Sequence, residues 1–273
     1  MMSCAAHHCV AVRDGLAVAF ASGNGGNRFG QLGRGTATSS SNRRNDDESS
    51  GSRQPMSMTL PADAEGLTVV AAAAGGDRDG GHSAVVLSDG SVLTCGCDRW
   101  QQLGLGSSAS GAAGYTWKNG RIWQPLLQRV ESLARPSSDD DQFVDVACGA
   151  DYTIVRSRKG RVVGFGRSHL GQVTGNGKRG PFVTAPVDAV RNADRGGSTG
   201  IAEILTNPEG DCTILIRNLK EATSSGISND ADAWWERLTR ASAETSGALE
   251  MNGKCSKAFV QSALREMITR NAE

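Results

Sequence analysis

Cysteine and histidine have the widest chemical reach in this sequence, because thiolates and imidazoles bind metals, transfer protons and attack electrophiles. The chain contains seven cysteines and four histidines. Cys95 and Cys97 are separated by one residue, whereas a zinc half-site has about two to four residues between its cysteines and a second pair. No second pair follows. A redox or metal role stays open, since alternation along a strand would place both thiols on one face. We predict buried thiols that act as small hydrophobic residues.

Two of the histidines, His7 and His82, recur at one position of a repeated pattern. Tyr152 and Cys212 hold the equivalent position in two further copies. Neither replacement preserves a base or metal-ligand role common to all copies. We therefore predict that this anchor position is architectural, with the imidazole hydrogen-bonded to backbone in a hairpin. His169 varies between copies and has no assigned role.

The glycine-rich run at 23–30 could suggest a phosphate-binding loop. It lacks the Gly-Lys-Ser/Thr ending, and no helical pattern follows that would supply a dipole. No Ser-His-Asp set or carboxylate pair can be assembled from the repeated positions. We therefore predict that the protein is not an enzyme and has no catalytic residue, no metal site and no cofactor.

Charge and targeting signals restrict the classes of partner and the cellular location that we expect. Lys+Arg and Asp+Glu are equal at 29 each, so the whole chain has no net field that would attract nucleic acid or an anionic membrane. No apolar stretch approaches about 20 residues, and the start lacks a secretory pattern. The odd cysteine count favours free thiols in a reducing compartment. We expect an intracellular protein of the cytoplasm or nucleus; the acid-poor start leaves a mitochondrial location open.

An internal repeat organises the chain. In two copies, glycines follow the anchor at intervals of eight and then six residues. The first copy keeps the eight-residue interval but then has an insertion. A degenerate fourth copy begins at Cys212. The anchors and glycines are His7 and Gly15 in the first copy, His82, Gly90 and Gly96 in the second, and Tyr152, Gly160 and Gly166 in the third.

Each copy predicts a leading strand, a second strand, a tight turn and a third strand. The β-branched runs at 84–87 and 153–155 suit a buried pleated surface. Asp89-Gly90 tolerates the positive φ that a tight turn requires. Leading strands are predicted at 68–71, 143–147 and 201–205, and the first copy is expected to lack one because the chain begins too late to supply it.

These blocks resemble the regulator of chromosome condensation repeat, most clearly at 30–33, 82–90, 102–104 and 144–149. The resemblance covers about residues 5–226 in three good copies and one weak copy. It implies an all-β fold, a partial β-propeller of four-stranded blades. Four copies cannot close the usual seven-bladed ring. Completion by another chain, a decayed remnant and an incomplete gene model all remain open.

We predict a partial propeller at 1–226 and a helical tail at 227–273. Within the first region, 36–61 is polar and is expected to be a disordered insertion. The tail predicts helices at 230–245 and 256–271, the second with Ser256 as N-cap. Its apolar stripe is predicted to pack over the last blade or to complete it in trans; the stripe comprises Phe259, Val260, Leu264, Met267 and Ile268.

The resemblance implies a non-catalytic scaffold for protein–protein interaction, with a guanine-nucleotide exchange factor or regulator of a small GTPase as the alternative. The expected partner is another protein, a small GTPase under the alternative, or a second copy that completes the propeller. Aromatic residues are enriched at binding hot spots. Those outside the repeat pattern are therefore predicted partner contacts: Tyr115, Trp117, Trp234 and Trp235. For Trp123 we favour core packing.

Overall fold

The computed structural model describes residues 2–22, 26–35, 53–77, 80–106, 116–118, 121–133, 142–173, 182–188, 201–216 and 249–270. Two predicted features lie wholly or largely outside these ranges: most of the insertion at 36–61 and the first tail helix at 230–245. Among the described residues, no helix has the length and apolarity needed to cross a membrane.

The described strands form four antiparallel sheets, which we call blades 1 to 4. Blade 1 contains β1 (Met2–Cys4), β2 (His8–Arg13), β3 (Leu16–Ala21) and β4 (Met56–Ser57). Blade 2 contains β5 (Val69–Asp77), β6 (Gly80–Leu87), β7 (Val92–Cys97), β8 (Thr116–Lys118) and β9 (Arg121–Arg129), with β9 between β7 and β8. Blade 3 contains β10 (Phe143–Cys148), β11 (Tyr152–Ser157), β12 (Val162–Arg167) and β13 (Phe182–Asp188). Blade 4 contains β14 (Glu203–Thr206), β15 (Cys212–Ile216) and β16 (Leu249–Gly253). A 3-10 turn at Ala62–Ala64 and helix α1 (Lys257–Arg270) complete the elements.

The core lies between successive blades rather than inside any one of them. Val10 and Ala19 of blade 1 pack with Val85 and Leu93 of blade 2. The faces of blades 2 and 3 meet in a second cluster, and those of blades 3 and 4 in a third. Because blades 2 and 3 bury both faces against neighbours, their central strands read as nearly continuous apolar runs. The fold is the predicted all-β partial propeller.

Blade 1 differs from the prediction at both of its edges. Its leading strand is present as β1, which pairs Cys4 with Cys9. The expectation that the first copy lacks this strand is wrong, because three residues are enough to pair with β2. The end of the predicted insertion at 36–61 also forms part of the sheet, since Met56–Ser57 pairs with β3. A two-residue edge strand with exposed side chains leaves almost no sequence pattern.

The structure places His8, rather than His7, at the anchor position of blade 1. His8 pairs with Ala21 as His82 pairs with Gly96. The turn of blade 1 has two residues, Asp14 and Gly15, at φ 52° and 74°. In blades 2 and 3 the turn has three residues, because the strand-end amide bonds the carbonyl four residues ahead. A fixed eight-residue interval therefore lands one residue too early in the first copy.

The tail is not wholly helical. Strand β16 pairs with β15 along its length, with Cys212 opposite Gly253. The boundary drawn at residue 226 is therefore corrected, because the third strand of blade 4 comes from beyond it. Helix α1 matches the second predicted tail helix, and the Ser256 hydroxyl accepts the Phe259 N–H at 3.3 Å, which is N-cap geometry.

Four of the seven cysteines form disulfides, Cys4–Cys9 and Cys212–Cys255. The expectation of free thiols is therefore wrong for these four. Cys4 and Cys9 face each other across β1 and β2 with Cα atoms 4.1 Å apart. Their proximity depends on a strand pair that the sequence pattern did not predict. The remaining three cysteines are buried and form no disulfide: Cys95, Cys97 and Cys148. An intracellular location stays a prediction.

Candidate functional site

The anchor side chains lie buried between blades and hydrogen-bond across the interfaces. His82 Nε2 lies 3.1 Å from Thr153 Oγ1, and this hydroxyl lies 2.8 Å from the Gln102 carbonyl oxygen. A hydroxyl has one proton, and a carbonyl can only accept. Thr153 therefore donates to Gln102 and accepts from His82 Nε2–H. This arrangement assigns the neutral Nε2–H tautomer to His82.

At the other two interfaces between described blades, the anchor side chain also meets a hydroxyl of the next blade. His8 Nε2 lies 2.9 Å from Ser83 Oγ, which donates to the Gln31 carbonyl at 2.7 Å. At the third interface the direction is reversed, because Tyr152 Oη donates to the Cys212 carbonyl at 2.7 Å and accepts from Thr213 Oγ1 at 3.0 Å. Thr213 Oγ1 also lies 3.1 Å from the Gln172 carbonyl. In each case the hydroxyl belongs to the residue directly after the next blade's anchor position. We call this repeated arrangement the inter-blade relay.

Burial controls the protonation of the relay. It lowers the pKa of His8 to about 4 and of His82 to about 3, and it raises the pKa of Tyr152. All three side chains are fully buried. A neutral imidazole without solvent access cannot exchange protons with a substrate, so the relay suits a role in holding blades together.

The relay glutamines also order the loop that follows each third strand. The Oε1 atoms of Gln31, Gln102 and Gln172 each accept the N–H of the residue two positions earlier, at 2.8 to 2.9 Å. In the first two loops, Asn27 and Asp98 accept a further backbone N–H through Oδ1. These bonds hold the loops, which we call the rim loops: 27–33, 98–104 and 168–173.

The rim loops emerge at one end of the blades, because they follow equivalent strands. Their second residues, Arg28, Arg99 and His169, are exposed. The Arg28 guanidinium carbon lies 5.5 Å from the centre of the neighbouring Phe29 ring. Trp100 lies against two guanidinium groups, those of Arg99 at 5.1 Å and Arg167 at 5.0 Å.

Carboxylates stand at the same end of blades 3 and 4. Asp151 is buried and pairs with Arg167, Nη1 to Oδ2 at 3.2 Å. Burial and, to a lesser extent, the charge of Asp77 raise the pKa of Asp151 to about 6, against the opposing effect of Arg167. Asp211 accepts from Gln172 Nε2 at 2.9 Å. In the described ranges no three His, Cys, Asp or Glu side chains are placed to hold a metal ion.

The repeated glycines occupy special backbone positions. Gly15, Gly90, Gly96, Gly160 and Gly166 all have positive φ, between 74° and 109°. At Gly96 a Cβ would lie 2.5 Å from the Gly81 carbonyl oxygen, and at Gly166 it would lie 2.6 Å from that of Asp151. These two glycines let the third strand pass close to the start of the anchor strand.

Three of the four predicted aromatic contacts lie outside the described residues: Tyr115, Trp234 and Trp235. The fourth, Trp117, lies in β8, where the structure describes the backbone only. Trp123 is buried beside Cys97 and meets Phe29 edge to face, with ring centres 6.4 Å apart.

The three cysteines outside the disulfides lie away from solvent. Burial raises the pKa of Cys95 and raises that of Cys148 to about 12, which leaves both thiols protonated and weakly nucleophilic. Sequence reasoning missed Arg28 and Arg99. The signal for them was available, because an Arg-aromatic pair stands at the same place in the loops 27–30 and 98–101.

Comparisons with known proteins agree with this architecture. Two family models, each described as the "Regulator of chromosome condensation (RCC1) repeat", match residues 89–156 and 143–172. The mouse (Mus musculus) "Regulator of chromosome condensation" is 30% identical over 127 residues, which are 46% of this chain and 29% of that protein. The Bos taurus "Secretion-regulating guanine nucleotide exchange factor" is 31% identical over 94 residues, 34% of this chain and 16% of that one. The chain thus spans less than a third of the length of these curated relatives.

Solved structures show the same fold. Prp20p from Saccharomyces cerevisiae, solved in a study of its binding to Gsp1p and histones, superposes with a TM-score of 0.55 at 15% identity. The match covers 98% of this chain and 46% of that one. Human WBSCR16 superposes with a TM-score of 0.53 at 18% identity, covering 80% of this chain and 44% of that one.

Proposed function

Because the chain belongs to the regulator of chromosome condensation repeat family, we propose that it is a non-catalytic protein-binding module whose rim loops form the contact surface. The observation that carries this proposal is the repeated, exposed cationic residue on loops held by internal hydrogen bonds. Side chains on such loops lose little conformational freedom on binding, which favours affinity. Function in a propeller resides in loops rather than in the common sheet framework.

The charges of the rim favour a partner with an acidic segment that crosses blades 1 and 2. Arg28 and Arg99 are exposed there, and each guanidinium stacks on its neighbouring ring and so stands in a defined place. Towards blade 4 the rim becomes acidic through Glu209 and Asp211. An acidic segment would therefore be attracted at one side and repelled at the other, which fixes its direction.

A binding assay with matched variants tests this surface. A fluorescent poly-glutamate peptide should bind the intact chain in a salt-dependent manner, and Arg28→Ala/Arg99→Ala should abolish most of that binding. The control is Arg158→Ala/Lys159→Ala, which removes two exposed charges from the turn at the opposite end of blade 3. Equal loss in both double variants would mean that only net charge matters, and the rim proposal would fail.

A second candidate is a guanine-nucleotide exchange factor or regulator of a small GTPase. The names of two relatives favour it: the Bos taurus protein above and a mouse protein of the same name, 32% identical over 113 residues. The decisive assay is release of labelled GDP from a panel of small GTPases. Acceleration by catalytic amounts of this chain would establish the second candidate, whereas stable binding without release supports the first.

A further inference from the structure

The inter-blade relay stops at both ends of the four blades, and a disulfide-bonded cysteine occupies the remaining relay position at each end. In blade 1 the residue after the anchor is Cys9, where the other blades have Ser83, Thr153 and Thr213. In blade 4 the anchor itself is Cys212. Cys9 is bonded to Cys4, and Cys212 to Cys255.

Strand β15 has one face towards blade 3 and one face away from it. Leu215 packs with Tyr152 and Ile154 of blade 3, and Thr213 joins the relay on that side. Alternation places Cys212, Ile214 and Ile216 on the opposite face, where a following blade would pack. All three of these side chains are nonetheless buried.

The corresponding outer face of blade 1 shows what an uncovered end looks like. Met2 pairs with Ala11, and Leu16 with Arg13, so both lie on the same face as Cys9. Met2 is 64% exposed and Leu16 is 50% exposed. The outer face of blade 4 is therefore covered by something that blade 1 lacks.

Helix α1 is the element tied to that face. Cys255 immediately precedes the N-cap Ser256, and its disulfide joins the first residue of β15 to the start of the helix. The Lys254 N–H also bonds the Asp211 carbonyl at 2.8 Å. On the helix, Val260 and Ala263 are buried, whereas Lys257 and Ser262 are exposed. Residues three positions apart share one helix face, so this helix buries one side near its disulfide-bonded end.

We infer that α1 is an end cap, which lies on the outer face of blade 4 in place of a next blade and is locked there by the Cys212–Cys255 disulfide. Repeat arrays need a terminal element that covers the apolar face of their last unit. Reduction by a dithiol transfers two electrons and two protons to the disulfide, breaks the S–S bond and leaves two cysteine thiols, while the dithiol closes to its own disulfide. The cap then has only its packing to hold it, and the outer face of β15 becomes accessible.

The experiment measures access to this face in the full chain. Cys255→Ser leaves Cys212 as a free thiol, and its alkylation by N-ethylmaleimide is followed by mass spectrometry together with hydrogen exchange of peptides from 212–216 and 257–270. The matched control is Cys4→Ser, which opens the other disulfide. Dithiothreitol opens both disulfides of the wild type without a substitution, and its effect is read against the Cys4→Ser control.

Loss of the Cys212–Cys255 disulfide should increase hydrogen exchange in 212–216 and in 257–270 by at least about tenfold. The reason is that this disulfide closes a long loop, and its loss frees the chain between the two cysteines. The Cys4→Ser control should leave these peptides unchanged. Val260→Asp should produce the same exposure of 212–216 with the disulfide intact, since a charge cannot be buried on the covered face. Unchanged exchange in both reduced wild type and Val260→Asp would overturn the end cap.

Discussion

The relay predicts that one buried hydroxyl holds two interface groups at once. Thr153→Val replaces Oγ1 by a methyl group of nearly the same size, at a fully buried position. The substitution removes the acceptor of His82 Nε2–H and the donor to the Gln102 carbonyl. A buried polar group left without a partner costs about 1–3 kcal/mol, and the added methyl burial returns about 0.8 kcal/mol. Two such groups are left here, so we expect a loss of roughly 1–5 kcal/mol in the free energy of unfolding.

The matched control is Thr94→Val in strand β7 of blade 2. Thr94 is equally buried, but its hydroxyl serves one described partner, the Leu103 carbonyl at 2.7 Å. Its loss should cost about half as much. Denaturant unfolding followed by tryptophan fluorescence gives both values, and the larger loss corresponds to a fall in Tm of roughly 5–10 °C.

A double-mutant cycle isolates the cross-blade term. In a His82→Leu background the Nε2–H donor is already absent, so Thr153→Val should cost about 1–2 kcal/mol less than in the wild type. The reasoning would be refuted by a Thr153→Val loss no larger than that of Thr94→Val. Equal costs in the two backgrounds would refute it independently.

Three further outcomes are expected. Burial lowers the pKa of His8 to about 4 and of His82 to about 3, so at these sites the unfolded chain binds more protons. The raised pKa of Asp151 opposes this effect in part between about pH 6 and 4. The unfolding free energy should hold above about pH 6.5 and fall by roughly 3 kcal/mol towards pH 4.5, with a smaller fall in His82→Leu. A pH-independent denaturation midpoint would contradict this. Gln101 has φ 63° at a position where the other rim loops have glycine. Calorimetry should therefore show that Gln101→Gly raises the free energy of unfolding by about 1 kcal/mol and that Gln101→Ala does not raise it. Gly90 has φ 80° and tight packing around its Cα, so Gly90→Val should lower the free energy of unfolding by about 2 kcal/mol. Gly66→Val should cost less, because Gly66 has φ 82° but open space around it. Equal costs would show that packing contributes nothing.

The sequence predicted what local chemistry determines. The Asp-Gly turn and the glycines at positive φ leave short-range signals, and these placed the second and third strands of blades 1 to 3 near their observed positions. The slip from His8 to His7 arose because a two-residue turn and a three-residue turn both end in glycine. An interval measured from that glycine cannot distinguish them, although the paired residue, Ala21 or Gly96, does.

Features that depend on distant pairing were not predictable in this way. Strand β16 joins β15 across residues 217–248, and no short-range pattern marks it as the third strand of blade 4. The relay bonds join residues 75, 71 and 61 positions apart. Each partner alone is an ordinary serine or threonine. Their role becomes recognisable only when the blades are stacked and the hydroxyl falls opposite the preceding anchor.

The relay also gives physical meaning to the variation at the anchor. His8, His82 and Tyr152 each present a group that can hydrogen-bond to a hydroxyl of the next blade, so all three serve an interface between repeats. Cys212 offers no comparable group, because its sulfur is bonded to Cys255. The anchor residue therefore distinguishes an interface that continues the array from one that ends it. A residue that first suggested catalysis or metal binding thus reports which blades are neighbours.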